Sequence, residues 1–104
     1  MIEKEFFLDV KRDLDTTGTN HFLELSVCEG SVQSLVVLSS DLEEEKEVKK
    51  LENISSEKTI IPLEINSKTA KFKFKILATK ATAKLRVKSV KKMEYETALK
   101  YETE

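Results

Sequence analysis

The chain predicts an all-β fold, an antiparallel sandwich of about six or seven strands. Three observations carry that expectation. Apolar and polar residues alternate with period two in stretches such as Leu23-Glu24-Leu25-Ser26-Val27 and Lys71-Phe72-Lys73-Phe74-Lys75-Ile76. The strand-like runs recur at roughly ten-residue spacing, divided by clusters of Asp, Thr, Asn, Ser and Gly. At 104 residues, with 39% apolar and 36% charged side chains, the chain is long enough for one real core and too short for two.

The first strand is expected from Ile2 to about Lys11, with Phe6, Leu8 and Val10 on one face and Glu3, Glu5, Phe7 and Asp9 on the other. The polar cluster Asp13-Leu14-Asp15-Thr16-Thr17-Gly18-Thr19-Asn20 ends it. A second strand, His21 to Cys28, turns Leu23, Leu25 and Val27 to one side, and Glu29-Gly30-Ser31 reads as a turn. Val32 to Ser39 is a third strand. Its run Leu35-Val36-Val37-Leu38 is apolar on both faces, which argues for a central position.

The next segment changes character. Ser40 followed by Glu43 has the form of a capping box, and the acids Asp41, Glu44 and Glu45 precede Lys49 and Lys50 in the order a helix dipole favours. The apolar stripe Leu42, Val48, Leu51, Ile54 is thin. A short charged surface helix or loop near 41–54 is expected, with a ragged edge strand as the competing reading. Asn53-Ile54-Ser55 matches a glycosylation sequon, a short pattern that matters only in a secreted protein.

Strand character returns at Thr59 to Ile65, where Pro62 implies an edge or a bulge. After Asn66-Ser67-Lys68, two more strands are expected, Ala70 to Leu77 and Ala83 to Val90, joined as a hairpin through Ala78-Thr79-Lys80-Ala81-Thr82. The spacing Phe72-x-Phe74-x-Ile76 followed by Ala83-x-Leu85-x-Val87 resembles the closing strands of immunoglobulin-like and jelly-roll-like modules over about a quarter of the chain. The organisation expected is one β-sandwich domain over 1–93 and an acidic C-terminal tail or short helix over 94–104, where Met93, Thr97 and Tyr101 stand four apart.

Charge is segregated along the chain. Residues 1–40 hold seven acids and three bases, and residues 41–64 hold eight acids and four bases. Residues 65–93 hold ten bases and no acid, and residues 94–104 hold four acids and one base. The net charge of −1 therefore hides opposing patches.

The expected hairpin places Lys71, Lys73 and Lys75 on one face with Lys84, Arg86 and Lys88. Like charges facing each other across strands repel, so this face calls for an anionic neighbour: solvent with salt, the chain's own acidic 41–57 segment, or an external polyanion or acidic protein. Lysine dominance suits sequence-independent phosphate contact. Phe72 and Phe74 point away from that face, which leaves it without a base-stacking platform.

Other candidates are weaker. Asp13, Asp15, Thr17, Gly18 and Glu24 match the ligand spacing of a calcium-binding loop, but Asn20 stands where an apolar residue belongs and both flanks read as strands. A polar turn is the simpler reading, and no metal or cofactor is expected. His21 is the single histidine, and no glycine-rich phosphate loop or metal-spaced Cys/His set accompanies it. The single Cys28 forbids an internal disulfide. With no signal-like apolar run at the start and no stretch of about 20 apolar residues, the chain reads as soluble and cytoplasmic.

The functional expectation is a non-enzymatic binding module whose cationic hairpin face, 71–88, engages a polyanion or an acidic protein surface. The alternative is a structural or assembly subunit that pairs through an exposed strand edge, near Pro62 or along the first strand, giving a homo-oligomer.

Overall fold

The computed structural model describes residues 2–17, 20–41, 44–55, 57–90 and 92–101, and most of that backbone is extended. Six strands form one open antiparallel sheet: β1 (Ile2–Asp9), β2 (His21–Ser40), β3 (Glu45–Ser55), β4 (Lys58–Leu63), β5 (Lys71–Ser89) and β6 (Met93–Tyr101). A four-residue helix, α1 (Val10–Asp13), follows β1. No helix among the described residues is long and apolar enough to cross a membrane.

The sheet has four lanes. β2 and β5 pair along nearly their whole length and form the two inner lanes. Beyond β5, β1 pairs with residues Lys71 to Ala78, and β6 pairs with Ala81 to Lys88. Beyond β2, β4 pairs with His21 to Ser26, and β3 with Ser31 to Ser40.

The long strands bend. β5 has 19 residues and would span roughly 60 Å if straight, while the longest dimension of the molecule is 41 Å. The ladder is irregular midway along both strands: the register skips Cys28 and Gln33 of β2 and Thr79 of β5. Each is an extra residue of the kind that kinks and twists a strand. Gln33 Oε1 accepts the Thr79 N–H at 3.1 Å, which satisfies a donor that the irregular ladder leaves over. Gly30 stands in the same region at φ 71°, with its α-carbon packed against the Lys80 carbonyl.

The bulge explains the core pattern. Buried apolar residues of β5 are Phe72, Phe74, Ile76 and Ala78, then Ala81, Ala83, Leu85 and Val87. The parity changes across Thr79–Lys80 because one extra residue shifts the count while the same sheet face stays inward. Leu8, Leu23, Leu25, Val32, Leu35, Val37 and Leu99 join them in one apolar cluster. The Phe72 and Phe74 rings stack with centroids 6.3 Å apart. Each fully buried phenyl contributes about 2–3 kcal/mol.

Several expectations are corrected. The segment near 41–54, expected as a helix or loop, forms edge strand β3 from Glu45 to Ser55. Its backbone satisfies the outer side of β2, a demand that local helix propensity does not register. Asp41, expected in a first helical turn, pairs with Glu44 instead: Asp41 N–H donates to the Glu44 carbonyl at 3.1 Å, and Glu44 N–H donates to Asp41 Oδ1 at 2.8 Å. Leu42 and Glu43 lie outside the described residues. The expected tail or helix after residue 93 is strand β6 through Tyr101, and it buries Leu99.

The turns expected at Glu29-Gly30-Ser31 and at 78–82 are interior bulges of continuous strands. The first strand stops at Asp9, whose carboxylate caps α1 by accepting the Arg12 N–H at 3.1 Å.

Candidate functional site

The absence of a hairpin at 78–82 reorganises the basic face. Lys71, Lys73 and Lys75 lie on one half of β5, and Lys84, Arg86 and Lys88 on the other, so the two triads never stand opposite each other. The bulge keeps both triads on the outward sheet face while the core lies inward.

The register defines the outer face of the first half as four rows. Asp9 of β1, Lys71 of β5, Ser40 of β2 and Glu45 of β3 form one row; Phe7, Lys73, Leu38 and Glu47 form the next. Glu5, Lys75, Val36 and Lys50 follow, then Glu3, Leu77, Ser34 and Glu52. The lysines of β5 are therefore flanked by carboxylates on both outer lanes. Lys73 Nζ lies 3.2 Å from Glu45 Oε2 and 5.7 Å above the Phe7 ring centre. Acids outnumber bases on this face, six (Asp9, Glu5, Glu3, Glu45, Glu47, Glu52) to four (Lys71, Lys73, Lys75, Lys50).

The outer face of the second half is built differently. Its rows are Lys100, Thr82 and Glu29; Ala98, Lys84, Ser26 and Lys58; Glu96, Arg86, Glu24 and Ile60; and Met93, Lys88, Phe22 and Pro62. The third row is an ordered charge network. Arg86 Nε donates to Glu96 Oε2 at 2.6 Å, and Arg86 Nη1 reaches Glu24 Oε1 at 3.4 Å. Lys88 Nζ lies 3.3 Å from Glu24 Oε2.

Glu24 is buried at 5% exposure, under the stems of these long cationic side chains. Burial pushes its carboxyl up, but the Lys88 hydrogen bond and the charges of Lys88, Lys58 and Arg86 outweigh that and hold it below the usual carboxylate range. The Glu96 hydrogen bond raises the Arg86 guanidinium further.

On this second face the bases Lys58, Lys84, Arg86, Lys88 and Lys100 outnumber the acids Glu24, Glu29 and Glu96. Apolar residues border it. Ile60 and Met93 are 57% and 53% exposed, and Val90 follows at the β5–β6 connection at 66%.

The calcium-like residues do not come together. Asp13 bonds Arg12, whose guanidinium holds its carboxyl below the usual range. Asp15 bonds the Thr17 N–H and hydroxyl, and the hydroxyl bond is first among the causes that lower it. Glu24 belongs to the Arg86–Lys88 network, and Gly18 lies outside the described residues. Among the described residues no group of His, Cys, Asp and Glu side chains is arranged to hold a metal ion.

His21 is buried, and its Nε2 lies 2.8 Å from Glu94 Oε2 of β6. Neither of these two buried atoms makes a hydrogen bond. Glu94 Oε1 also accepts the Asp15 N–H at 3.0 Å, fastening the loop after α1 to β6. Cys28 is an exposed free thiol at the bulge.

Comparison with protein-family models, with curated proteins and with solved structures gives no match. The residue geometry therefore carries the functional argument.

Sequence reasoning singled out the six cations of 71–88 but missed the residues that divide them. Glu24, Glu96 and Lys58 come from other strands, and only the register brings them to Arg86 and Lys84. One signal was available: Glu24 is the acid in the otherwise uncharged strand Phe22 to Cys28, on the polar parity.

Proposed function

We propose that this protein works by binding, and that the outer face of the second sheet half receives an acidic surface of a partner protein. Lys84, Lys88 and Lys58 supply the attraction, and the Glu24–Arg86–Glu96 row holds the face in shape. The observation that carries the reading is the imbalance between the two halves. The Lys71–Lys73–Lys75 half is offset by its neighbouring strands, whereas the Lys84–Arg86–Lys88 half keeps a cationic surplus.

The apolar border of Ile60, Phe22, Pro62 and Met93 favours a protein over a nucleic-acid backbone, because phosphate contact has no use for exposed aliphatic side chains. The finer architecture we read as a sandwich made by one sheet folding over at its bulges, in place of two separate sheets.

Fluorescence anisotropy with a labelled Asp/Glu-rich peptide containing apolar residues tests this, run beside duplex DNA and single-stranded RNA at low and near-physiological salt. Lys58→Glu/Lys84→Glu is expected to lose peptide binding at least tenfold, while Lys71→Glu/Lys75→Glu keeps it. Arg86 and Lys88 are left intact because they hold the buried Glu24. A folded Lys58→Glu/Lys84→Glu protein that binds as the wild type does would sink the reading. Tighter, steeply salt-dependent binding to nucleic acid would replace the acidic protein with a phosphate backbone.

A further inference from the structure

Four strands, β1, β3, β4 and β6, have a hydrogen-bonded neighbour on one side only among the described strands. An edge of this kind invites another strand unless something blocks it. Three of the four are blocked. β4 is six residues long and carries Pro62. β3 carries Lys46, Lys49 and Lys50, a register shift at Val37/Leu38 of its ladder, and Asn53 at φ 55°. β1 sets Glu3, Glu5 and Asp9 on its outer face, so a second copy would lay carboxylates against carboxylates.

Between Tyr95 and Tyr101, β6 has no proline, no register shift and no run of like charge. Its ladder to β5 is regular there, and its outer-face residues are Glu96, Ala98 and Lys100. That order is self-complementary: an acid, a small exposed residue, then a base, at equal spacing. Lys4 Nζ donates to the Lys100 carbonyl at 3.2 Å, an intramolecular contact that a docking strand must displace where that carbonyl faces the edge.

We propose that β6 pairs antiparallel with β6 of a second copy, about a two-fold axis at Ala98. In that register Glu96 of each copy faces Lys100 of the other, Ala98 faces Ala98, and Thr97 faces Leu99. Both charge pairs form at once because an isologous contact repeats itself. A slip of two residues in either direction sets Glu96 or Lys100 against Ala98; one of these slips brings Lys100 opposite Glu94, whose carboxylate is already buried against His21, so the Glu96–Lys100 pairs favour the central register.

The sheet then continues from one copy into the next through the second half, and the cationic faces holding Lys84 and Lys88 become one surface on the same side. The pairing goes beyond the acidic-partner reading and stands without it.

Sedimentation equilibrium on the full chain, from about micromolar to about millimolar, tests the pairing. The mass is expected to rise from 11.9 kDa towards twice that value. Ala98→Lys puts two ammonium groups across the axis, and Lys100→Glu puts carboxylate against carboxylate. Each should remain monomeric where the wild type is dimeric.

Glu96→Lys should also be monomeric alone, yet an equimolar mixture of Glu96→Lys and Lys100→Glu should dimerise, since both cross-strand pairs regain opposite sign. Glu96 also bonds Arg86, so circular dichroism must first show that Glu96→Lys is folded. If it is not folded, Ala98→Lys and Lys100→Glu decide the matter. A wild type that stays at monomer mass overturns the proposal. So does a dimer that survives Ala98→Lys and Lys100→Glu, or a folded mixture that fails to associate. A wild type that stays monomeric yet binds the acidic peptide overturns this inference alone.

Discussion

Glu24 shows how one side chain can organise a surface. It sits on the outer face of β2 yet is almost wholly covered, because Arg86 and Lys88 extend over it from β5. A buried carboxylate is tolerated only when charged donors replace its water. Its carboxyl is held below the usual range, so ionisation favours the folded state. That contribution is fully present above the unfolded value of about 4.3 and is lost as pH falls through the lower folded value.

Glu24→Gln should therefore be less stable than the wild type by about 1–3 kcal/mol near neutrality. The gap should close as pH falls below about 4. Urea midpoints of both proteins across this range check it, and a gap that does not change with pH would refute the role given to the charge. The partners of Glu24 were not legible in the sequence, since Arg86 lies 62 positions away and only the ladder register joins them. Gly30 was legible as a place of special backbone but not for what it does. Hairpin turns and interior bulges both call on a glycine at positive φ. Here a Cβ would overlap the Lys80 carbonyl of the paired strand, so the glycine serves a bend inside a continuous ladder.

At the scale of elements, alternation was enough to place strands and to orient them. Phe72, Phe74 and Ile76 are buried, with Lys73 and Lys75 outward, as their parity requires. Alternation fails where an element is specified by its neighbour. β3 carries mainly charged residues and buries little beyond Ile54, so its strand state comes from pairing with β2 and not from its own pattern. β6 is the sharper case, because its sequence reads as an acidic tail.

Leu99 is 1% exposed and pairs with Ala83, while Tyr95, raised by burial and by the Asp13 charge, packs against the core from the same strand. Leu99→Ala should cost about 2–4 kcal/mol, and a chain ending at Lys92 should not unfold cooperatively. If chemical denaturation left either protein within about 0.5 kcal/mol of the wild type, β6 would be an ornament and not part of the fold.

For the whole molecule, the bend matters more than any strand. β2 and β5 each run through it, so neither half can unfold without tearing the β2–β5 ladder that both halves share. The lane beyond β5 is interrupted there between two strands far apart in sequence: Ile2 of β1 pairs with Ala78, and Tyr101 of β6 pairs with Ala81. The start of β1 and the end of β6 therefore stand three positions apart along β5, about 10 Å. A short Gly/Ser linker can close that gap, and adding it costs little loop entropy.

The matching place to open the chain is the exposed turn at 66–69. There Asn66 Oδ1 accepts the Lys68 N–H at 2.8 Å, and the Asn66 carbonyl accepts the Thr69 N–H at 3.1 Å. A permutant starting at Lys68 and ending at Ser67 keeps every strand whole and makes the interrupted lane continuous. It should fold with a single cooperative transition, a few kcal/mol or less from the wild type. Amide exchange should protect both halves of β5 to the same depth. Two separate transitions, or protection confined to one half, would show that the bulges divide the sheet into independent units and that the continuity of β2 and β5 does not couple them.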